Sequence, residues 1–442
     1  MAQSCRIPQG GRVRHDAPAT FTFDGKSYQG LQGDTLASAL LANGVHLVSR
    51  SFKYHRPRGI CAAGAEEPNA LVGLREGARA EPNSLATTIE LYDGLIAKSQ
   101  NNWPSLQFDV SEVNSLFQRF LSAGFYYKTF IGPFEKSWMW YEHIIRKAAG
   151  MGEATREPDP DHYEKVYKFC DVLVVGSGPA GLAAALAAGR AGARVLLADQ
   201  EPQLGGSLLS APKGSSSDQW LSTAIEELEK LQNVEIMPRT FVWGAYDHGN
   251  YTLLEKVADH KPQPDEHEVR QRSIVLQTGR VVVATGALER PIPFGNNDRP
   301  GIMLAGAART YVNRYGVLPG KRAVVFTNND SAYEVALDLK AAGVDVTLVD
   351  ARAKAPEQLS AACASASIEV MSGHAVVGAN GRMRVTSADV ARFDTASGTS
   401  GDVVRQIPCD LICVSGGWNP VVHLSSQRGR RPEFDSKLAS FV

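Results

Sequence analysis

The chain has 442 residues, with 46 Lys and Arg against 47 Asp and Glu and a formal net charge of −1. That length holds two or three domains with sizeable cores, and the near-balance of charge argues against nucleic acid or an anionic membrane as a general partner. No apolar run reaches the roughly 18 residues of a membrane span, and the opening MAQSCRIPQGGRVRHD lacks the apolar centre of a secretory signal, so a cytoplasmic protein is expected.

Thr20-Phe21-Thr22-Phe23 alternates as a strand, Asp24-Gly25 is a hairpin turn, and Tyr28 begins the return strand. Gly33-Asp34-Thr35 caps a helix from Leu36 to Asn43, which Gly44 stops. This order predicts a ferredoxin- or ubiquitin-like β-grasp domain over 15–85. SFKYHRPRGI, Ser51 to Ile60, stands where a plant-type ferredoxin begins its cluster loop, which needs three closely spaced cysteines and a fourth. Cys61 alone is present there, so the expectation is a ferredoxin shape with no Fe–S cluster. Lys53, His55, Arg56 and Arg58 read either as a solvated loop or as a contact for phosphate or carboxylate at a subunit interface.

A connector over 86–165 follows, crowded with Trp103, Phe108, Phe117, Phe120, Phe125, Tyr126, Tyr127, Phe130, Phe134, Trp138, Trp140 and Tyr141. Such a density is costly to expose. Either it wraps on the domain's own core or it is a docking surface for another subunit. Glu153 to Asp161, EATREPDPD, is polar and reads as a linker.

Asp171 to Asp199, DVLVVGSGPAGLAAALAAGRAGARVLLAD, is the most informative stretch. An apolar strand runs into Gly176-Ser177-Gly178-Pro179-Ala180-Gly181, an alanine-rich helix follows, and a second strand ends at Asp199, 21 residues after Gly178 (199 − 178 = 21). Strand, tight turn, helix, strand and acid together form the dinucleotide-binding fingerprint. Gly176 permits the turn, Gly178 lets backbone approach a pyrophosphate, and Gly181 lets the helix pack on the strand. The helix N-terminus offers N–H groups and a positive dipole end to phosphates. Asp199 can accept from both ribose hydroxyls and would repel a 2′-phosphate, which suits FAD and NAD equally and disfavours NADP.

Gln200 and the turn at Gly205-Gly206-Ser207 lie next to that acid. Arg280 to Ala287 predicts a buried strand ending in Thr285-Gly286, which closes the first dinucleotide-binding domain, 166–295 with 405–425. A second, degenerate Rossmann domain spans 300–404. Its turn, Thr327 to Ala332, has no glycine, so it reads as structurally present but empty. Asp410 to Trp418, DLICVSGGW, is expected to return to the first domain and bring Gly416-Gly417 to the cofactor, leaving a tail over 426–442. The six cysteines form no C-x-x-C pair, which argues against a zinc site and excludes dithiol chemistry. His46, His55, His143 and His423 have no visible acid partner, no catalytic residue is singled out, and Arg290 and Arg309 stand near the closing strand.

The order of elements is that of flavoproteins with two dinucleotide-binding domains, the disulfide-reductase-like α/β fold. SFKYHRPRGI with AEEPNALV, FYYKTFIGPFEKSWMWYEHIIRKAAGMG, VVGSGPAG and ALERPIPFGNNDRPGIMLAGAARTYVNRYGV together resemble the alpha subunit of heterotetrameric sarcosine oxidases, over nearly all of 15–425. That resemblance implies a complex with beta, gamma and delta subunits that oxidises sarcosine to glycine with hydrogen peroxide, coupled to tetrahydrofolate. It implies NAD in the first site of this chain, FMN at the interface with the beta subunit, and FAD with the amine-oxidising site on beta. Gly176, Gly178, Gly181, Asp199, Gly205, Gly206, Thr285 and Gly286 would then bind NAD. Family alpha subunits carry a folate-binding domain after the last glycine turn, which is expected to be absent here. The alternatives are an NAD(P)H-dependent FAD oxidoreductase, or an alpha-like subunit of an opine or amino-acid dehydrogenase or a hydrogen cyanide synthase.

Overall fold

Apolar residues alternate inward along Arg14–Phe23, so that Ala19, Phe21 and Phe23 are buried while their neighbours face solvent. This strand pairs antiparallel with Lys26–Gln32 across the Asp24-Gly25 turn and parallel with Leu95–Ser99. The computed structural model describes residues 3–121, 132, 137–262, 264–265, 267–429 and 431–442. The first sheet has five strands in the spatial order Lys26–Gln32, Arg14–Phe23, Leu95–Ser99, Leu71–Leu74, Glu81–Leu85. Helix Leu36–Ala42 lies buried against it, opened by a capping box in which Thr35 and Ser38 satisfy each other's backbone N–H groups.

The loop after this helix is organised by one carboxylate. Glu67 accepts from the N–H groups of Cys61 and Ala62 on one oxygen (2.7 and 2.6 Å) and of Asn69 and Ala70 on the other (2.7 and 3.1 Å). The basic run next to it is not a solvated loop. Arg56 and Arg58 both reach Asp298, and the buried His55 Nδ1 lies 2.7 Å from Asp109. The contact for a carboxylate is therefore one within this chain.

The second sheet has six strands, in the order Val234–Met237, Val195–Ala198, His162–Val175, Val269–Val283, Asn250–Lys256, Thr240–Ala245. Helices Pro179–Arg190 and Ser216–Lys230 pack on one face of its parallel part through Leu182, Leu186, Leu221 and Leu228. The strand expected to be buried at Arg280 to Ala287 forms, but its end is open, with Val282 36% and Val283 39% exposed. The reason is register. Asn250–Lys256 pairs only as far as Gln277, so beyond that point the strand has the fingerprint strand alone as its neighbour.

The third sheet runs Ile302–Leu304, Leu411–Ser415, Arg322–Thr327, Asp345–Asp350, Glu369–Ser372, all parallel. Leu411–Ser415 was expected in the first dinucleotide domain and instead lies here. All five of its residues are buried between two parallel neighbours, a position that the apolar run LICVS fits. What returns to the first domain is the segment after it. Trp418–Pro420 pairs antiparallel with Ala287–Glu289 as a two-stranded ribbon, and helix His423–Ser426 buries Leu424 beneath the six-stranded sheet.

One core spans the first and third sheets, from Phe21, Leu40 and Val72 to Tyr311, Tyr333 and Leu339, and the Tyr311 hydroxyl donates to the Ala62 carbonyl at 2.8 Å. Across the first and second sheets the contact is ionic. Arg270 meets Glu81, Asp161 (3.0 Å) and Asp259 (2.7 Å), and Arg79 also reaches Asp161 at 2.8 Å. Of the connector's aromatics, Trp103, Phe108, Phe117, Phe120 and Trp140 are more than half exposed. Phe125, Tyr126, Tyr127, Phe130 and Phe134 lie outside the described residues.

The side chains of Arg270 and Asp161 are 5% and 1% exposed, so removing the cation leaves a buried carboxylate with less compensation. Arg270→Leu is expected to destabilise the fold by about 3 kcal/mol, the usual order for breaking a buried pair. Urea denaturation should show a lower midpoint, with faster proteolysis in the linker around Glu157 as the two units part.

Candidate functional site

The fingerprint turn sits at the carboxyl end of His162–Val175, where a parallel sheet leaves a crevice for ligands. Two of its glycines are held by packing. A Cβ on Gly181 would stand 1.8 Å from the Gly176 carbonyl oxygen, and one on Gly176, whose φ is +97°, would stand 2.4 Å from that of Ala284. Gly178 differs, because nothing lies within 4 Å of where its Cβ would be. It also occupies the N-cap of Pro179–Arg190 without any side-chain cap, so first-turn N–H groups remain for a ligand. Pro179 stands at the start of that helix, and Pro179 and Ala180 are exposed.

Asp199 binds this turn directly. Its Oδ2 accepts from both the amide and the hydroxyl of Ser177, each at 2.6 Å, while Oδ1 accepts from the Glu201 amide at 2.8 Å. A carboxylate oxygen has two lone pairs, so Oδ1 keeps one for a ribose hydroxyl. The second glycine turn closes on the first. Gly205 donates to the Ser177 carbonyl at 3.0 Å, and a Cβ on Gly206 would meet Gly178 Cα at 2.9 Å. Gln200 and Ser207 are exposed beside it. Thr285 and Gly286 follow the open strand end, with Ala284 bonded to Val175, and both are tied to Val421 (2.9 and 3.0 Å).

Gly417 is not placed with these groups. It sits opposite Arg290 beside the ribbon, four residues from Val421, where Gly286 is bonded (421 − 417 = 4), roughly 13 Å by strand geometry. Arg290 donates to the Ala439 carbonyl at 2.6 Å, and Arg309 is engaged by Asp338 and Glu334, away from the turn. In the second Rossmann unit Asp350 is fully buried, bonded to Tyr333 (2.8 Å) and Arg352, and Arg352 also holds Asp330 at 2.6 Å.

Three features escaped sequence reasoning because their parts are far apart in the chain. One is the His55–Asp109 pair, 54 residues apart. The second is Glu289 on the ribbon, which accepts from the Gly306 amide at 2.7 Å and whose burial pushes its carboxyl up to about 7. The third is a cavity of about 690 Å³ that opens from Gln200 and Glu201 toward the first sheet. Among the described residues no group of three or more His, Cys, Asp or Glu could hold a metal ion.

Residues 170–431 match the family model for pyridine nucleotide-disulphide oxidoreductases. Residues 16–102 match the model for a 2Fe-2S iron-sulfur cluster binding domain. This second match contradicts the expectation of a ferredoxin shape with no Fe–S cluster. The matched segment has one cysteine, Cys61, whose thiol burial pushes up to about 12, whereas such a cluster takes four ligands. The chain is 47% identical to the sarcosine oxidase subunit alpha of Rhizobium meliloti (strain 1021), over 99% of this chain and 44% of that protein. It is 37% identical to that of Corynebacterium sp. (strain U-96), over 98% of this chain and 41% of the relative. It thus spans under half the length of these two relatives. Among solved structures, L-proline dehydrogenase from P. horikoshii shares the fold with a TM-score of 0.63 at 18% identity, over 99% of this chain and 67% of that one.

Two outcomes are expected. Gly181→Ala forces a Cβ into backbone and should lower the unfolding midpoint sharply, whereas Gly178→Ala, opening on empty space, should leave it nearly unchanged. Glu289 keeps its proton in the folded chain above the pH at which the unfolded chain loses it. Its stabilising contribution is therefore full below about pH 4.5 and lost as pH rises through about 7, a difference of about 3 kcal/mol. Thermal unfolding of Glu289→Gln should be flatter across pH 5 to 8 than that of the parent.

Proposed function

The chain belongs to the pyridine nucleotide-disulphide oxidoreductase family, and from that premise we propose that it is the nucleotide-holding portion of a sarcosine oxidase alpha subunit. The observation that carries this reading is identity of 47% sustained along 99% of the chain. The geometry of the turn supports it, with room at Gly178, an uncapped helix N-terminus, and Asp199 beside both. Gly176, Ser177, Gly178, Pro179, Ala180, Gly181, Asp199, Gln200, Gly205, Gly206, Ser207, Thr285 and Gly286 hold NAD, and FAD is the other dinucleotide this chemistry accepts. Asp199 and Glu201 together disfavour a 2′-phosphate. The second Rossmann unit holds no nucleotide, because Arg352 joins Asp350 to Asp330 where a phosphate and ribose would lie.

In this reading the complex oxidises sarcosine to glycine. The flavin that takes the electrons belongs with a beta subunit, FMN lies where that subunit meets this chain, and gamma and delta complete the assembly. The connector is the docking face. Phe108, Leu116, Phe120, Met139 and Trp140 are all more than 60% exposed, and aromatic and methionine side chains are enriched at interface centres.

Co-expression with a candidate beta subunit, pull-down and mass identification of released cofactors test the proposal. A complex releasing NAD, FAD and FMN is expected. A lone chain that carries FAD and consumes NADH would overturn it. Gly178→Glu places a carboxylate where the pyrophosphate approaches and is expected to abolish NAD retention without unfolding the chain.

A further inference from the structure

We propose that the ferredoxin-like unit forms the outer wall of the adenosine pocket, so that the base and ribose of the dinucleotide are held between two domains. The inference rests on the reading of Gly176 to Gly181 with Asp199 as a dinucleotide site.

The cavity of about 690 Å³ lies within the size range of small-molecule sites. One side consists of Gln200, Glu201 and Phe241 and the other of Gln32, Thr88 and Glu90 from the first sheet and its loops. Its inner end is referenced to the ribose-binding acid. The Glu201 amide donates to Asp199 Oδ1, and the Thr240 amide donates to the Asp199 carbonyl at 2.7 Å. The strand-end loop and the turn that leads to Phe241 are therefore fixed to the same residue. A base attached to a ribose at Asp199 extends into this space.

The charge pattern selects the kind of group. Arg239 forms a fork with Glu90, at 2.5 and 2.7 Å, which also bridges the two domains across the cavity. Arg314 is held by Glu201 at 3.1 Å, and Arg12 by Asp218 at 2.6 Å. With Arg12, Arg239 and Arg314 already matched by carboxylates, a second phosphate gains little from them. An uncharged group rich in hydrogen-bonding edges fits better. His260 lines the same cavity. An adenine edge supplies such donors and acceptors.

The test is calorimetric titration of the purified chain with NAD and with AMP. The unaltered protein is expected to bind both. Thr88→Trp fills the cavity from the ferredoxin-like side and is expected to weaken both by about tenfold or more. Unaltered affinity in Thr88→Trp would overturn the shared pocket while leaving the dinucleotide site standing. Failure of the unaltered protein to bind NAD would overturn the dinucleotide reading and this inference with it. Hydrogen exchange of the unaltered protein decides the matter without a variant. NAD is expected to slow exchange across residues 85–92, and unchanged exchange there with slowed exchange at the fingerprint turn would confine the site to the second sheet.

Discussion

The Asp199 carboxylate accepts from the Ser177 amide and hydroxyl and from the Glu201 amide, and the form of the site follows from those three bonds. The fingerprint turn is drawn onto the end of Val195–Ala198, which leaves Gly178 facing open space and the helix start unblocked. A buried carboxylate needs such donors to offset the water it loses. The same bonds that satisfy Asp199 therefore also set the backbone that a pyrophosphate would meet. The glycines around it divide the labour. Gly176 and Gly181 permit backbone contact closer than any side chain allows, and Gly178 is small for the sake of what binds.

The surrounding units meet this site in two physically different ways. The first and third sheets share one apolar core, which is non-directional and tolerant of small shifts. The first and second sheets meet through Arg270, Arg79 and Arg239 and their carboxylates, which are directional and fix orientation. Orientation is what a cavity between two units requires, since a rotation of a few degrees would open or close it. The ribbon of Ala287–Glu289 and Trp418–Pro420 ties the dinucleotide units together and carries Glu289, whose proton makes that link sensitive to pH.

The connector follows a different logic. Trp103, Phe108, Phe117, Phe120 and Trp140 lie on an exposed surface instead of in a core. Exposed side chains of that kind are costly to leave in water.

Local pattern was enough for the hairpin at Asp24-Gly25, the helix after Thr35, the fingerprint with its acid, and the two dinucleotide-type units, because each depends on residues within some thirty positions of one another. Turn chemistry, capping and apolar periodicity act at that range. What the sequence left open depends on neighbours distant in the chain. Leu411–Ser415 is equally apolar for either sheet, and only its fit between Ile302–Leu304 and Arg322–Thr327 decides which it joins. The exposure of Val282 and Val283 depends on where a neighbouring strand stops. Glu67, Glu289 and the His55–Asp109 pair look like ordinary surface residues until folding buries them. The cavity beside Gln200 exists only because arginines and carboxylates far apart in sequence hold two domains at a fixed angle, and no periodicity in a single chain encodes that angle.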